Sequence, residues 1–173
     1  MKNTRRESVS SFDKKIRSPQ GLVAAVRRWR RQGKRIVLTN GCFDLLHRGH
    51  VTLLAQAKRL GDVLIVAINS DRSVRALKGN SRPLVPQRDR ATLLAALSSV
   101  DVVTIFDQST PQHLIALLKP DVLVKGADWR PGGIVGEDLV RRRGGRVVRI
   151  PLVSGYSTTN VLKRLASQMA KEP

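Results

Sequence analysis

The sequence predicts an α/β protein built as an open, doubly wound parallel sheet of five strands with helices on both faces. Three observations carry that expectation. Short β-branched apolar runs alternate with helix-length periodic segments. The runs are continuously apolar rather than alternating, which implies burial on both faces and therefore a parallel sheet covered by helices. A length of 173 residues with 41% hydrophobic content supports one domain with a substantial core.

The elements follow in chain order. Residues 1–17, "MKNTRRESVSSFDKKIR", are polar and charged without sustained periodicity, and read as a basic, mobile N-terminal segment ahead of a single domain over 18–173. "SPQGLVAAVRRWRRQGK" supplies Ser18 as N-cap, Pro19 at the first helical position, an apolar stripe of Leu22, Val23, Val26 and Trp29, and Gly33 as a stop. The expected strands are "RIVLT" (35–39), "DVLIVAIN" (62–69), "DVVTIF" (101–106), "DVLVK" (121–125) and "RVVRI" (146–150). Between them the helical segments are "HVTLLAQAKRLG", "RDRATLLAALSS", "PQHLIALLK" and "GEDLVRRRGG", and "STTNVLKRLASQMA" closes the chain. In such sheets ligands bind at the carboxyl ends of the strands.

Composition narrows the function classes. The formal net charge of +19 suggests affinity for polyanions, yet residues 1–35 hold twelve Lys or Arg against Glu7 and Asp13, so about half of the excess lies in the leading segment. Aromatic content of 3% leaves few platforms for stacking bases, so specific nucleic-acid recognition is not expected. Cys42 is the only cysteine, which excludes an intrachain disulfide. No apolar run approaches the roughly 20 residues of a membrane-spanning helix, and no secretory signal is present; the expectation is a soluble cytoplasmic protein.

"TNGCFDLLHRGH" (39–50) gathers two of the three histidines, a carboxylate and two glycines between the first strand and a helix. A metal site, a cysteine nucleophile and a phosphate pocket are the alternatives. Asp44, His47 and His50 could offer three ligands, but no nearby Cys or His cluster adds a fourth. Cys42 has no motif of a cysteine hydrolase around it and reads as a small buried residue. Gly41 and Gly49 permit close backbone approach, the following helix presents N–H groups to an anion, and His47 and His50 project from one face of a helical turn. Position and chemistry together favour phosphate.

"HRGH" after "TNGCFDLL" resembles the H-x-G-H signature of the nucleotidyltransferase superfamily, which has a Rossmann-like fold. "GYSTTNV" (155–161) resembles its second signature, I-S-S-T-x-I, with Tyr156 and Val161 as departures. Over residues 35 to about 165, "VAINSD", "LKGNSRP", "DVLVKGADW" and "IVGEDLVRRRGGRVVRIP" are similar to the bacterial D-glycero-β-D-manno-heptose 1-phosphate adenylyltransferases, here in a stand-alone form without the sugar kinase. The resemblance implies transfer of AMP from ATP to heptose 1-phosphate for lipopolysaccharide core synthesis, with Mg²⁺ as cofactor and a homodimeric assembly.

The same resemblance implies roles. His47 and His50 would donate to the ATP phosphates, His50 at the α-phosphate, and Asn40, Gly41, Cys42 and Phe43 would line the nucleotide beside Gly49. Asp44 would orient a histidine or water, or help place Mg²⁺. Asp71 would line the substrates, and Lys78 and Arg90, with Arg88 as competitor, would contact substrate or triphosphate. Lys125, Gly126 and Asp128 would approach the base, while Ser157, Thr158 and Thr159 would cap the last helix and hold the β- and γ-phosphates. Two other functions compete: a cytidylyltransferase acting on glycerol 3-phosphate or a related polyol phosphate, and a polyanion-binding module without turnover.

Overall fold

The computed structural model describes residues 12–127 and 132–169. Its sheet has five parallel strands in the order β3-β2-β1-β4-β5: β1 Ile36–Gly41, β2 Val63–Asn69, β3 Val102–Phe106, β4 Val122–Gly126 and β5 Arg146–Ile150. The chain builds outward from β1 through β2 to β3, then returns across β1 to lay down β4 and β5. That reversal opens a crevice between the carboxyl ends of β1 and β4.

The helices are α1 Pro19–Arg31, α2 Arg48–Lys58, α3 Asp71–Lys78, α4 Gln87–Ala95, α5 Gln112–Leu118, α6 Glu137–Arg141 and α7 Thr158–Met169. Successive strand residues point to opposite faces, and the core divides accordingly. Ile36, Leu38, Ile65 and Leu123 meet Leu22 of α1, Leu114 of α5 and Val140 of α6. Val37, Leu64, Val66 and Val124 meet Leu54 and Ala57 of α2 and Leu94 of α4 on the other side. β2 is buried along its whole length, whereas the edge strand β5 is fully buried only at Ile150.

The caps explain several boundaries. Ser18 Oγ accepts the N–H of Gly21 at 3.1 Å, Pro19 opens α1, and Gly33 takes φ 71° just past its end, as the sequence predicts. α3 is an addition to the predicted elements. Ser70 caps it by accepting the Ser73 N–H at 3.2 Å, and Asp71 is its first residue. The basic leading segment is also more tied down near its end than its composition suggests. Arg17 donates its N–H to the Val103 carbonyl, and Lys15 Nζ donates to Val100 O at 2.8 Å. Among the described residues no helix is long and apolar enough to cross a membrane.

Candidate active site

The twelve-residue motif begins in β1, which runs two residues further than the sequence suggests and delivers Asn40 and Gly41 to the crevice. Phe43 then takes φ 46°, a left-handed conformation that costs about 1 kcal/mol or more outside glycine. Its ring lies under Gly41, where an added Cβ would meet it at 3.2 Å, and its centroid is 5.0 Å from that of His50. The turn ends at His47, the N-cap of α2, whose carbonyl accepts the His50 N–H at 2.9 Å. That turn stacks the two imidazoles, with centroids 3.9 Å apart and planes 16° from parallel.

Electrostatics keep this pair uncharged near neutral pH. Burial pushes the His50 pKa down to about 4, assisted by His47 and the Lys78 ammonium and opposed by the Leu45 carbonyl. Burial also lowers His47. Nδ1 of His47, Nδ1 of His50 and Oδ1 of Asn40 are buried without a hydrogen-bond partner in the protein. Buried polar atoms are normally satisfied, so three orphans at one crevice mark where a polar ligand completes the structure.

The crevice is a cavity of about 660 Å³. Its wall includes Asn40, Gly41, Cys42, Phe43, Asp44, His47, Gly49, His50, Lys78, Lys125, Gly126 and Ser157 to Thr159. Lys78 comes from the exposed end of α3, while Lys125 leaves β4 and donates from Nζ to the Asn40 carbonyl at 3.0 Å. Ser157 Oγ accepts the Asn160 N–H at 3.1 Å and so caps α7, whose first turn points its N–H groups at the same space. Asp128 lies outside the described residues.

Two predicted contacts are placed elsewhere. Arg90 is 0% exposed and does not line the cavity. Its guanidinium donates to the carbonyls of Val85, Cys42 and Asn69 and pairs with Asp71 Oδ1 at 2.7 Å. These donors are turned inward because three chain stretches, at Cys42, at Asn69 and Asp71, and at Val85, converge there with oxygens to satisfy. Asp71, partly exposed, is likewise outside the cavity lining and serves as the partner of Arg90. Arg88, the competitor for the triphosphate, also lies outside the wall.

Asp44 is 3% exposed and fully committed. Oδ1 accepts the N–H groups of Leu84 and Val85 at 2.8 and 3.0 Å, and Oδ2 accepts from Arg82 at 2.6 Å. Burial alone would raise its pKa, but these donors and the Arg82 charge more than offset that and hold it below the usual value. Among the described residues no group of three or more His, Cys, Asp or Glu could hold a metal ion. With both carboxylate oxygens engaged, Asp44 works as the anchor of the 79–86 loop.

Sequence reasoning did not single out Arg82 or the apolar part of the wall, Leu77, Leu152, Val153 and Tyr156. Leu77 and Leu152 are about half exposed, at 51% and 50%. Tyr156, with its ring 6.5 Å from that of His47, flanks the crevice and carries Arg48 at 5.9 Å over its face.

A strand-loop-helix bearing paired donors, facing a second helix start across a topological switch point, is a site for a phosphate chain. A family model described as cytidylyltransferase-like matches residues 38–164, which spans both parts. The chain belongs to the cytidylyltransferase-like family. It is a nucleotidyltransferase. Among curated relatives, the bifunctional protein HldE of Koribacter versatilis is 54% identical over 158 residues, covering 91% of this chain and 32% of its own length. The same-named protein of Syntrophotalea carbinolica is 54% identical over 154 residues, with 89% and 31% covered. This chain thus spans about a third of the length of those relatives. Among solved structures, the lipopolysaccharide core biosynthesis protein of Thermoplasma volcanium aligns with a TM-score of 0.57 and 25% identity, over 72% of this chain and 100% of that one.

Proposed function

We propose that this cytidylyltransferase-like chain transfers AMP from ATP to D-glycero-β-D-manno-heptose 1-phosphate, giving ADP-heptose and pyrophosphate. The observation that carries the reading is the stacked, uncharged His47–His50 pair with unpartnered buried nitrogens, set opposite the start of α7. The names of the relatives, HldE and a lipopolysaccharide core biosynthesis protein, supply the direction for the sugar.

The chemistry then assigns work to these residues. An oxygen of the sugar phosphate, anionic near neutral pH, attacks the α-phosphorus of ATP. The new P–O bond forms as the bond to the bridging α,β-oxygen breaks, and the electron pair departs with pyrophosphate. No base is needed to make the nucleophile, so catalysis reduces to alignment and to stabilising charge on the oxygens. His47 and His50 give neutral N–H donors to the α- and β-phosphates. Lys78 and the N–H groups and hydroxyls at Ser157 to Thr159 take up charge as pyrophosphate forms. Mg²⁺, expected with a triphosphate, would be carried by the phosphates themselves.

Incubating the purified chain with ATP or CTP and either heptose 1-phosphate or glycerol 3-phosphate, and measuring released pyrophosphate, tests the reading. Turnover is expected with ATP and the heptose phosphate. Turnover confined to CTP and glycerol 3-phosphate would replace it with a polyol-phosphate cytidylyltransferase.

A further inference from the structure

A second cavity, about 510 Å³, lies at the opposite edge of the sheet, where β1, β4 and β5 begin. Arg30, Lys34, Arg35, Lys119, Arg143 and Arg146 line it. Asp121 is the one carboxylate in the wall, and its Oδ2 already accepts the Ile36 N–H at 2.7 Å. Arg30 is also occupied, donating to the carbonyls of Leu118 and Lys119 at the end of α5. The side chains of the other five cations make no hydrogen bond or ion pair with any described residue.

Basic residues commonly answer the negative ends of helices, and α1, α5 and α6 all end near this cavity. That accounts for Arg30, for Lys119 at the C-cap of α5 and for Arg143 just past α6, and is insufficient for the other three. Lys34 and Arg35 lie in the approach to β1, and Arg146 opens β5, so none of these stands in the last turn of a helix. Six cations from three separate stretches around one concave space, against the single carboxylate of Asp121, focus a positive potential there.

We propose that this cavity is a second anion site, which binds a compact oligophosphate of two or three linked phosphates. A concave wall with cations on several sides suits a small, highly charged ligand better than an extended duplex. The wall contains no aromatic residue on which a base could stack, so the phosphates themselves are what is recognised. β1 separates the two cavities by about 20 Å at ~3.3 Å per residue, too far for one such ligand to fill both.

Calorimetric titration of the full chain with tripolyphosphate at low salt tests this. Two binding events are expected in the unmodified protein. The triple variant Lys119→Asn, Arg143→Ser, Arg146→Ser loses one of them by at least about tenfold, while pyrophosphate release in the transferase assay is unchanged. The double variant His47→Ala, His50→Ala loses the other event. Should the triple variant melt early, Lys119→Asn and Arg143→Ser are titrated singly, each expected to weaken the same event by roughly threefold, with Arg143→Lys restoring it. A single event that responds only to the histidine changes overturns the proposal. So does a triple variant that keeps both tripolyphosphate events but loses affinity for duplex DNA, which would make the cavity part of a nucleic-acid surface.

Discussion

At His50, burial removes the charge, and Nδ1 is left without a hydrogen-bond partner in the protein. His50→Ala is therefore expected to lower kcat by about two orders of magnitude, the usual loss for one donor that acts in the transition state, while the folded structure persists by circular dichroism. The same burial links folding to pH. The pKa of His50 is about 4 in the folded chain against an ordinary 6.5, so between those limits the unfolded chain binds more protons. Stability is complete above pH 6.5 and falls as the pH drops toward 4, by up to about 1.4 kcal/mol per pH unit for this one group. Urea denaturation at several pH values should show that slope, and His50→Gln should flatten it; Asp44, with its lowered pKa, contributes only in the more acidic range below 3.8. Arg90 shows what residue types alone conceal. An arginine near a phosphate-binding motif reads as a ligand contact, and nothing in the letters reveals that Cys42, Asn69, Asp71 and Val85 converge on it from three separate stretches. Arg90→Met should cost about 3 kcal/mol or more in a denaturation experiment, because it strands three carbonyls and Asp71. Arg90→Lys should recover little of it, since one ammonium cannot replace the guanidinium fork.

Among the elements, the turn between β1 and α2 is tightly specified. An added Cβ at Gly49 would sit 3.1 Å from His47 Cε1 and Nδ1 and 3.3 Å from Tyr156 Cβ. Gly49→Ala should therefore push the His47 ring off its stack with His50. A several-fold rise in KM for ATP together with a fall in kcat is the expected result in steady-state kinetics; unchanged kinetics would show that the stack is not used. The loop over residues 79–86 is held from below by Asp44 and Arg82, and from the side by Arg90 on the Val85 carbonyl. This arrangement was illegible in the sequence because its partners lie about forty positions apart. The strands were legible to within one or two residues, since β2 and β4 are buried on both faces and had to be continuously apolar. α3 was missed for the converse reason. "DRSVRALK" buries only Ser73 and Val74, and its start rests on the Ser70 cap more than on an apolar stripe.

For the molecule as a whole, the parallel doubly wound sheet and a crevice at the carboxyl ends of its strands followed from the order of apolar runs, whereas the strand order and its reversal between β1 and β4 came from the structure. The distribution of a +19 charge did not, because cations far apart in the chain gather at both edges of the sheet. A domain of this length has a radius of gyration of about 16 Å, shorter than the ~30 Å Debye length at 0.01 M salt and longer than the ~8 Å at 0.15 M. At low salt every cation therefore feels the rest of the excess, and the compact state carries that repulsion more heavily than the expanded chain. Specific pairs act in the other direction. Arg82–Asp44 at 2.6 Å is nearly buried and screened little, whereas Lys58–Asp101 and Arg72–Asp107 are partly or well exposed and contribute less as salt rises. Six ion pairs among the described residues cannot offset an excess of nineteen cations. Raising sodium chloride from about 0.01 to 0.15 M should therefore raise the melting temperature by several degrees. The same change should weaken ATP binding, because the crevice loses the attraction of the surrounding positive field. Differential scanning calorimetry and an ATP titration over one salt series measure the two effects together. A melting temperature that falls with salt would place the stability of this fold in its ion pairs rather than in relief of its own charge.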